Sequence, residues 1–335
     1  MINFGCMSIE NCSDSPDALL SLIESVKVCY QEPPDARTRG RKPDFSDLSF
    51  LLLAVVAVVT KTFSDSALHR LLLGDGQLLR TLGFERVPHR TRLGKRLKSL
   101  REAAEQQIAS LGKTILAEVA GSENYSEVSA TDGRMYQALG PLWHKKHRQQ
   151  SVIPTGLRNV DTESKWSKSG YRGWVQGYRL VLQTLVFPEP VPLFAVWREN
   201  QLNEAKIGLA ELEKGRLQVT DVMLSDTTFG KADFRPAYQK AGGYLLTPLQ
   251  LPKKRSSWKN DLYDYRKETI ELLFQRIIQA FDIKSCPVKG EAKNGALVLA
   301  TVWTYQICWL NNYRSQKNPA DVKEHIENAH WRIKL

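Results

Sequence analysis

Apolar residues recur at helical spacing through the first 120 residues of the chain. The run 51–59 is apolar without interruption, and it predicts a buried helix because a membrane span needs about 20 apolar residues. Other segments repeat apolar residues every three or four positions. Helices are predicted at 17–30, 51–59, 66–73, 77–82 and 91–108. We therefore expect residues 1–120 to form an all-α amino-terminal domain.

The pattern changes after the small polar segment 121–126, where apolar and polar residues begin to alternate. Strands are predicted at 127–131, 174–187, 193–197, 219–225 and 244–249, and helices at 203–214, 232–241, 262–281 and 295–312. Three successive strands indicate an antiparallel meander, and strands joined through helices indicate parallel additions. This order predicts an α/β domain over 121–313 with a mixed five-stranded sheet flanked by helices, as in the ribonuclease-H-like fold. A polar tail, 314–335, follows.

The charge balance favours a polyanionic partner. Lys and Arg number 47 against 36 Asp and Glu, a net charge of +11. Nucleic acid is the first expectation and an anionic membrane surface the second. The five cysteines include no Cys-x-x-Cys pair, and the chain opens without a signal-peptide pattern, so we expect free thiols in the cytoplasm. His144 and His147 are too few ligands for zinc, and they indicate a basic loop.

Basic residues concentrate at the start of the predicted helix 91–108. No acid interrupts the run of Arg86, Arg90, Arg92, Lys95, Arg96, Lys98 and Arg101. A run of one sign at a helix start favours DNA binding, and the alternative is a solvated helix face. Two further sets could line a DNA channel or serve only solubility. They are Lys145, Lys146 and Arg148, and Lys253, Lys254, Arg255 and Lys259.

Two aspartates are predicted to follow strands that are neighbours in this fold. Asp132 ends the segment 128–132, and Asp226 ends the segment 222–226. Two close carboxylates repel each other, and a divalent cation removes that repulsion. Carboxylate oxygens are hard ligands that suit Mg²⁺ or Mn²⁺. Each aspartate alone is better explained as a turn residue after a strand, and the metal interpretation rests on the two together.

A third carboxylate is expected from the helix 262–281, where two glutamates compete. At about 100° per residue, Glu271 lies roughly 90° from the centre of the apolar stripe and Glu268 roughly 150° from it. Glu271 therefore borders the face that packs on the sheet, and Glu268 is expected to face solvent.

These segments together resemble the DDE transposases of bacterial insertion sequences. The similar motifs are Asp132-Gly133, Leu224-Ser-Asp226-Thr-Thr-Phe-Gly230, Tyr263-x-x-Arg266 with Ile270-Glu271-x-x-Phe274, and Trp166-Ser-Lys-Ser with Gly173-Trp-Val-x-Gly-Tyr178. The resemblance covers roughly 40–313. It implies a triad of Asp132, Asp226 and Glu271 that binds two Mg²⁺ or Mn²⁺ ions and cleaves and joins DNA. It also implies DNA contact by Arg266, binding of terminal inverted repeats and target DNA, a homodimer in the synaptic complex, and action at the bacterial nucleoid without a membrane.

The third motif departs from the family pattern. Four residues separate Arg266 from Glu271 where the family commonly has three, and Ile278 stands where a lysine is usual. The roles of Tyr263 and Arg266 therefore stay open. Two alternative functions also stay open: a catalytically silent DNA-binding or regulatory protein derived from a transposase, and a nuclease of the same fold that cuts without joining.

Overall fold

A computed structural model describes residues 18–32, 44–122, 125–170, 172–230, 233–252 and 257–331. The amino-terminal part is helical, as expected. Its helices are α1 (Ala18–Cys29), α2 (Asp47–Val59), α3 (Asp65–Gly74), α4 (Gly76–Thr81), α5 (Arg90–Ser99) and α6 (Arg101–Val119). Polar side chains accept hydrogen bonds from the first turns: Ser46 from the Ser49 amide, Ser64 from the Ala67 amide and Asp75 from the Leu78 amide.

The expectation of one long helix from 91 to 108 is wrong at Leu100. The Leu100 amide donates to the Leu97 carbonyl, three residues back, instead of continuing the four-residue ladder. Helix α5 ends there and α6 begins at the next residue. The side chains of Leu97, Leu100 and Ala104 are all buried, so one apolar stripe continues across the break and hides it from the sequence pattern.

The described residues form a mixed sheet. Its strands are β1 (Val128–Gln137), β2 (Lys165–Ser169), β3 (Gly173–Leu185), β4 (Val191–Glu199), β5 (Val222–Leu224) and β6 (Tyr244–Leu246). Strand β3 pairs antiparallel with β1, β2 and β4, whereas β1, β5 and β6 are parallel to one another. This is the expected ribonuclease-H-like arrangement. The additional strand, β2, pairs with the first part of β3, and it was not predicted because Lys-Trp-Ser-Lys-Ser lacks an apolar alternation.

Helices cover both faces of the sheet. The remaining helices are α7 (Lys145–Gln149), α8 (Glu204–Glu213), α9 (Phe234–Lys240), α10 (Trp258–Phe281), α11 (Glu291–Arg314) and α12 (Val322–Trp331). Leu180, Leu182 and Trp197 pack on the side of α10 and α11 in one apolar cluster. On the opposite face, Val181 and Phe194 join α8 and α9 in a second cluster.

Helix α12 lies in the segment expected to be a polar tail. Val322, Ile326 and Ala329 are buried, and α12 contacts α1, α2, α10 and α11. Apolar residues at three- and four-residue spacing make one face of this short helix apolar, although the segment as a whole is polar. None of the helices in the described parts of the chain combines the length and the hydrophobicity of a membrane span.

The amino-terminal helices share a core with the sheet. Helix α11, buried along nearly its whole length, contacts α2, α5, α6 and β4. A buried ion network adds a polar connection, because the Arg198 guanidinium of β4 donates to Glu105 of α6 and, at 2.7 Å, to Glu211 of α8. Division of the chain at residue 120 stays a prediction.

Gly112 tests this close packing of α6 on β4. An added Cβ would lie 2.7 Å from the carbonyl carbon of Leu193, a backbone atom that cannot turn aside. Gly112→Ala should therefore lower the free energy of unfolding by about 1–3 kcal/mol, measured by urea denaturation. Gly121→Ala is the matched control, because its Cβ meets no atom within 4 Å. Equal stability of both variants would contradict the packing described.

Candidate active site

The pairing of β1 with β5 places two aspartates at one point of the sheet. The last pair in this parallel register is Ala130 with Leu224, and Asp132 and Asp226 each follow two residues later. The expectation that Asp132 ends its strand is wrong, because β1 continues to Gln137 against β3. Strand β5 stops at Leu224, so the far half of β1 has no partner on that side among the described residues. The early end of β5 leaves a gap beside the second half of β1, which we call the notch. Asp132 lies at this notch.

Asp132 is held by two donors. The Nη2 atom of Arg266 lies 3.0 Å from its Oδ2 atom, and the Gly133 amide donates to Oδ1 at 2.8 Å. Burial raises the pKa of Asp132, and the charges of Asp226 and Glu271 raise it further, whereas Arg266 and the Gly133 amide lower it. The charges of the other two acids of the predicted triad thus both act on Asp132.

Asp226 is oriented by the turn that follows β5. The amide and the hydroxyl of Thr228 both donate to its carboxylate at 2.9 Å, and the Phe229 amide donates at 3.3 Å. Phe229 is itself buried in the apolar cluster beneath α8. Tyr263 of α10 donates to the Ser225 carbonyl at 3.1 Å. The turn is therefore fixed both to the core and to α10.

Helix α10 brings Arg266 to this notch, and Glu271 lies five residues further along the same helix. Its buried stripe contains Ile270, Leu273 and Phe274, which pack on the sheet side. Glu271, next to the stripe, is exposed at its side chain, and its charge reaches Asp132. Glu268 is exposed, as its helical phase predicted. Tyr263 binds the turn after β5, and Arg266 pairs with Asp132. The structure therefore gives a contact to each of these residues, whose roles the sequence left open.

A fourth acid, Glu204, was missed by the sequence analysis. It is the first residue of α8 and only 8% exposed, and its carboxylate pairs with Nη1 of Arg179 at 2.7 Å. Burial raises the pKa of Glu204 to about 7, with Asp132 and Asp226 adding to the rise and Arg179 and Arg266 opposing it. An acid at a helix start is ordinary, so the sequence carried no signal of this position.

The donor chemistry fits a hard divalent cation. The candidate ligands are all carboxylates and offer only oxygen atoms: Asp132, Asp226, Glu271 and Glu204. The positive charges of Arg179 and Arg266 oppose their negative charges. Two buried polar atoms beside the aspartates, Ser225 Oγ and Arg266 Nε, have no hydrogen-bond partner. Within the part of the chain described, however, no three His, Cys, Asp or Glu residues stand close enough to hold an ion. In this arrangement the carboxylate of Asp132 is paired with the guanidinium of Arg266.

Some of the predicted DNA-binding residues already pair with other side chains of the protein, and others are exposed to solvent. On α5, Arg92 pairs with Asp44 at 2.8 Å and lies over Phe45, while Arg96 pairs with Asp47 and lies over Phe50. Arg101 pairs with Glu291 at 2.6 Å, and Arg90 donates to the Ser66 hydroxyl at 3.3 Å. Arg86 is exposed and lies 3.8 Å from the Asp44 carboxylate, the side chains of Lys95, Lys98, Lys145 and Lys146 are exposed, and that of Arg148 is half-buried. Lys253, Lys254 and Arg255 lie outside the described residues.

No protein-family model matches the chain, and no curated protein matches it. Solved structures of transposases are similar at low identity. A piggyBac transposase synaptic complex with hairpin DNA shares 10% identity, with a TM-score of 0.44, over 97% of this chain and 81% of that chain. A Mos1 strand transfer complex shares 12% identity, with a TM-score of 0.30, over 90% and 79%. A Mos1 mariner paired-end complex with Mn shares 12% identity, with a TM-score of 0.23, over 84% of each chain.

The raised pKa of Glu204 predicts a pH-dependent stability. The folded protein holds this proton more tightly than the unfolded chain, so stability falls as pH rises from about 4.5 to about 7. Replacing Glu204 by Gln removes this dependence. The wild-type free energy of unfolding should therefore fall relative to the variant by up to about 1.4 kcal/mol per pH unit in this window, measured by urea denaturation. Glu213→Gln, at the exposed end of α8, is the control, and parallel curves for Glu204→Gln would contradict the assignment.

Proposed function

We propose that this protein is a metal-dependent DNA transposase that binds transposon ends, cleaves them and joins the 3′ ends to target DNA. The observation that carries the proposal is the equal offset of Asp132 and Asp226 beyond the last β1–β5 pair. Glu271 lies on α10, which also carries Arg266, and its charge raises the pKa of Asp132. Three acids from two strands and one helix, at a notch in a basic protein, suit phosphoryl transfer on a polyanion.

Asp132, Asp226 and Glu271 would hold two Mg²⁺ or Mn²⁺ ions. When bound, these ions activate the attacking water or 3′-hydroxyl and stabilise the leaving oxygen. The Thr228 donors keep the Asp226 carboxylate turned to the notch. Arg266 neutralises the charge of Asp132 while no cation is bound. When a cation binds that carboxylate, the Arg266 guanidinium would become available to bind a DNA phosphate.

DNA would approach along the exposed basic side chains of the helical region. Lys95 and Lys98 stand three residues apart on α5 and face solvent, whereas Arg92 and Arg96 face the acids and rings beside α2. We assign phosphate contact to the first pair and structural support to the second. The partners are the terminal inverted repeats and target DNA, engaged by a homodimer in the synaptic complex.

A catalytically silent descendant of a transposase is the second candidate. The pairing of Arg266 with Asp132, together with the lack of a three-ligand group in the described chain, favours it. Metal-dependent cleavage of end-containing DNA separates the two functions, and a strand-transfer assay separates a transposase from a nuclease that only cuts. Inverted repeats that flank the reading frame would identify the DNA to use.

Loss of either aspartate should stop cleavage and spare binding. Asp132→Asn and Asp226→Asn each remove a carboxylate charge from the centre, whereas the basic helical region is untouched. Cleavage of labelled end DNA with Mg²⁺ should fall below detection, while end binding in a gel-shift assay stays within about threefold. Substantial Mg²⁺-dependent cleavage by either variant would refute the assignment. Circular dichroism controls for folding, because Asp132→Asn weakens the pair with Arg266.

The two glutamates of α10 provide a matched comparison. Glu271→Gln should abolish hydrolysis and strand transfer, since a neutral amide is a poor substitute for a carboxylate ligand. Glu268→Gln is the same chemical change one turn earlier on an exposed side chain, and it should keep most activity. Both variants are compared in one strand-transfer assay on pre-cleaved ends. An active Glu271→Gln beside an inactive Glu268→Gln would require a different third acid.

Two double variants of α5 separate DNA contact from structural support. Lys95→Ala/Lys98→Ala should weaken end binding and lower the slope of log K against log salt by about 0.9 per lost phosphate contact. Arg92→Ala/Arg96→Ala should instead lower the free energy of unfolding by about 1–2 kcal/mol. Lys206→Ala/Lys240→Ala, two exposed lysines on α8 and α9, is the control. An unchanged salt slope for the first double variant would remove Lys95 and Lys98 from the interface.

A further inference from the structure

We propose that a surface at the outer end of the β2–β3 hairpin binds single-stranded DNA. We call it the hairpin surface, and it consists of Lys145 and Lys146 of α7, Lys168 of β2 and Trp174 of β3. The inference rests on the proposed function only in taking DNA as the partner, and it adds an unpaired strand to the DNA that the protein binds. No carboxylate of the candidate active site takes part.

One face of the hairpin is covered by the chain that follows β1, except at its outer end. Tyr178, Gln176 and Trp174 alternate along β3 and therefore share this face. The Tyr178 hydroxyl donates to Asp161 at 2.9 Å, and the Gln176 side chain accepts from the Trp143 amide at 2.7 Å. Trp174, the next position outward, is 66% exposed. Its indole ring is therefore accessible to a ligand that stacks on it.

The exposed ring stands on a rigid support. Trp166 of β2 lies opposite Gln176, and its indole nitrogen donates to the Trp143 carbonyl at 2.9 Å. The Arg172 guanidinium donates to the Met135 carbonyl at 3.2 Å, which joins the end of the hairpin to β1. A surface held in this way loses little conformational freedom when a ligand binds.

Positive charge surrounds the exposed ring. Residues 138–172 contain seven Lys and Arg and two acids. Both acids bind the start of α11: Asp161 accepts from the Gly290 amide at 3.0 Å. Glu163 accepts from the Glu291 amide at 2.7 Å. Across the ranges that the structure describes, none of the seven basic side chains forms an ion pair. Their charges are therefore available to a polyanion.

The positions of the charges match a nucleotide strand. Lys168 and Trp174 lie directly opposite each other on neighbouring strands, so their side chains leave the same face of the sheet. Lys145 and Lys146 are exposed and follow Trp143, which binds the next pair of the hairpin. Lysines would bind the phosphates, and the indole would stack on a base. Bases in a duplex are stacked on one another, so the ligand that fits is a single strand.

Binding of a labelled oligothymidylate of about 12 nucleotides, measured by fluorescence anisotropy without Mg²⁺, tests the stacking. Trp174→Leu keeps an apolar side chain and removes the aromatic face, so it should weaken binding by about 5- to 100-fold. Trp174→Tyr keeps an aromatic face and should stay within about threefold of the wild type. Wild-type affinity in Trp174→Leu, or an equal loss in both variants, would overturn the proposal.

The salt dependence of the same binding tests the charges. Lys145→Ala/Lys146→Ala should lower the slope of log K against log salt by about 0.7 per lost phosphate contact on a single strand. Lys206→Ala/Lys240→Ala, the exposed lysines of α8 and α9, should leave the slope unchanged. The same slope in both double variants would contradict the proposed surface.

Two other outcomes separate this proposal from its alternatives. Val152 and Ile153, each 49% exposed beside the contact with Trp143, would suit a second copy of the chain. Self-association that is lost in Trp174→Leu while oligothymidylate binding is unchanged would reject the proposal in favour of an interface between copies. A wild-type protein that binds duplex end DNA but no single strand would reject it and leave the proposed function intact. Single-strand binding without any Mg²⁺-dependent cleavage would support it while the proposed function fails.

Discussion

The short parallel pairing of β1 with β5 determines where the chemistry of this protein can lie. Three pairs join the strands, and beyond Ala130 and Leu224 the sheet continues on one side only. The backbone of β1 stays ordered there because β3 pairs with it as far as Gln137. A strand that is paired on one side only holds an acidic side chain on a rigid backbone and leaves space beside it for a ligand. A residue on a loop would lack the rigid backbone.

Concentrating acids at this notch has an electrostatic cost that the protein offsets with arginines. Asp226 and Glu271 act on Asp132, Asp132 and Asp226 act on Glu204, and the guanidinium groups of Arg179 and Arg266 oppose them from β3 and α10. The two arginines occupy different faces of β1, since Arg266 pairs with Asp132 and Arg179 pairs with Glu204 across Gly133. Each arginine therefore offsets the charge of one acid, on its own face of β1.

Much of this arrangement could be predicted from local pattern. The alternation in β3, the apolar run of α2 and the phase of α10 all depend on neighbours within a few residues. The errors share a different cause. Asp132 lies inside a strand because distant β3 extends the pairing, and β2 forms because β3 offers it an edge. Glu204 joins the site only through a contact with Gly133, 71 positions away. Such long-range contacts leave no periodic trace in the sequence.

The sharing of α11 between the amino-terminal helices and the sheet has a consequence for synthesis of the chain. Helix α2 is buried on all sides, and α11, which covers part of it, is made about 170 residues after α6 ends. At about 5–20 residues per second, the ribosome needs roughly 10–35 s for that interval. During this time the apolar faces of α2 and α6 lack their final neighbour. The nascent helical region therefore passes through a period in which this apolar surface is open to contact with other chains.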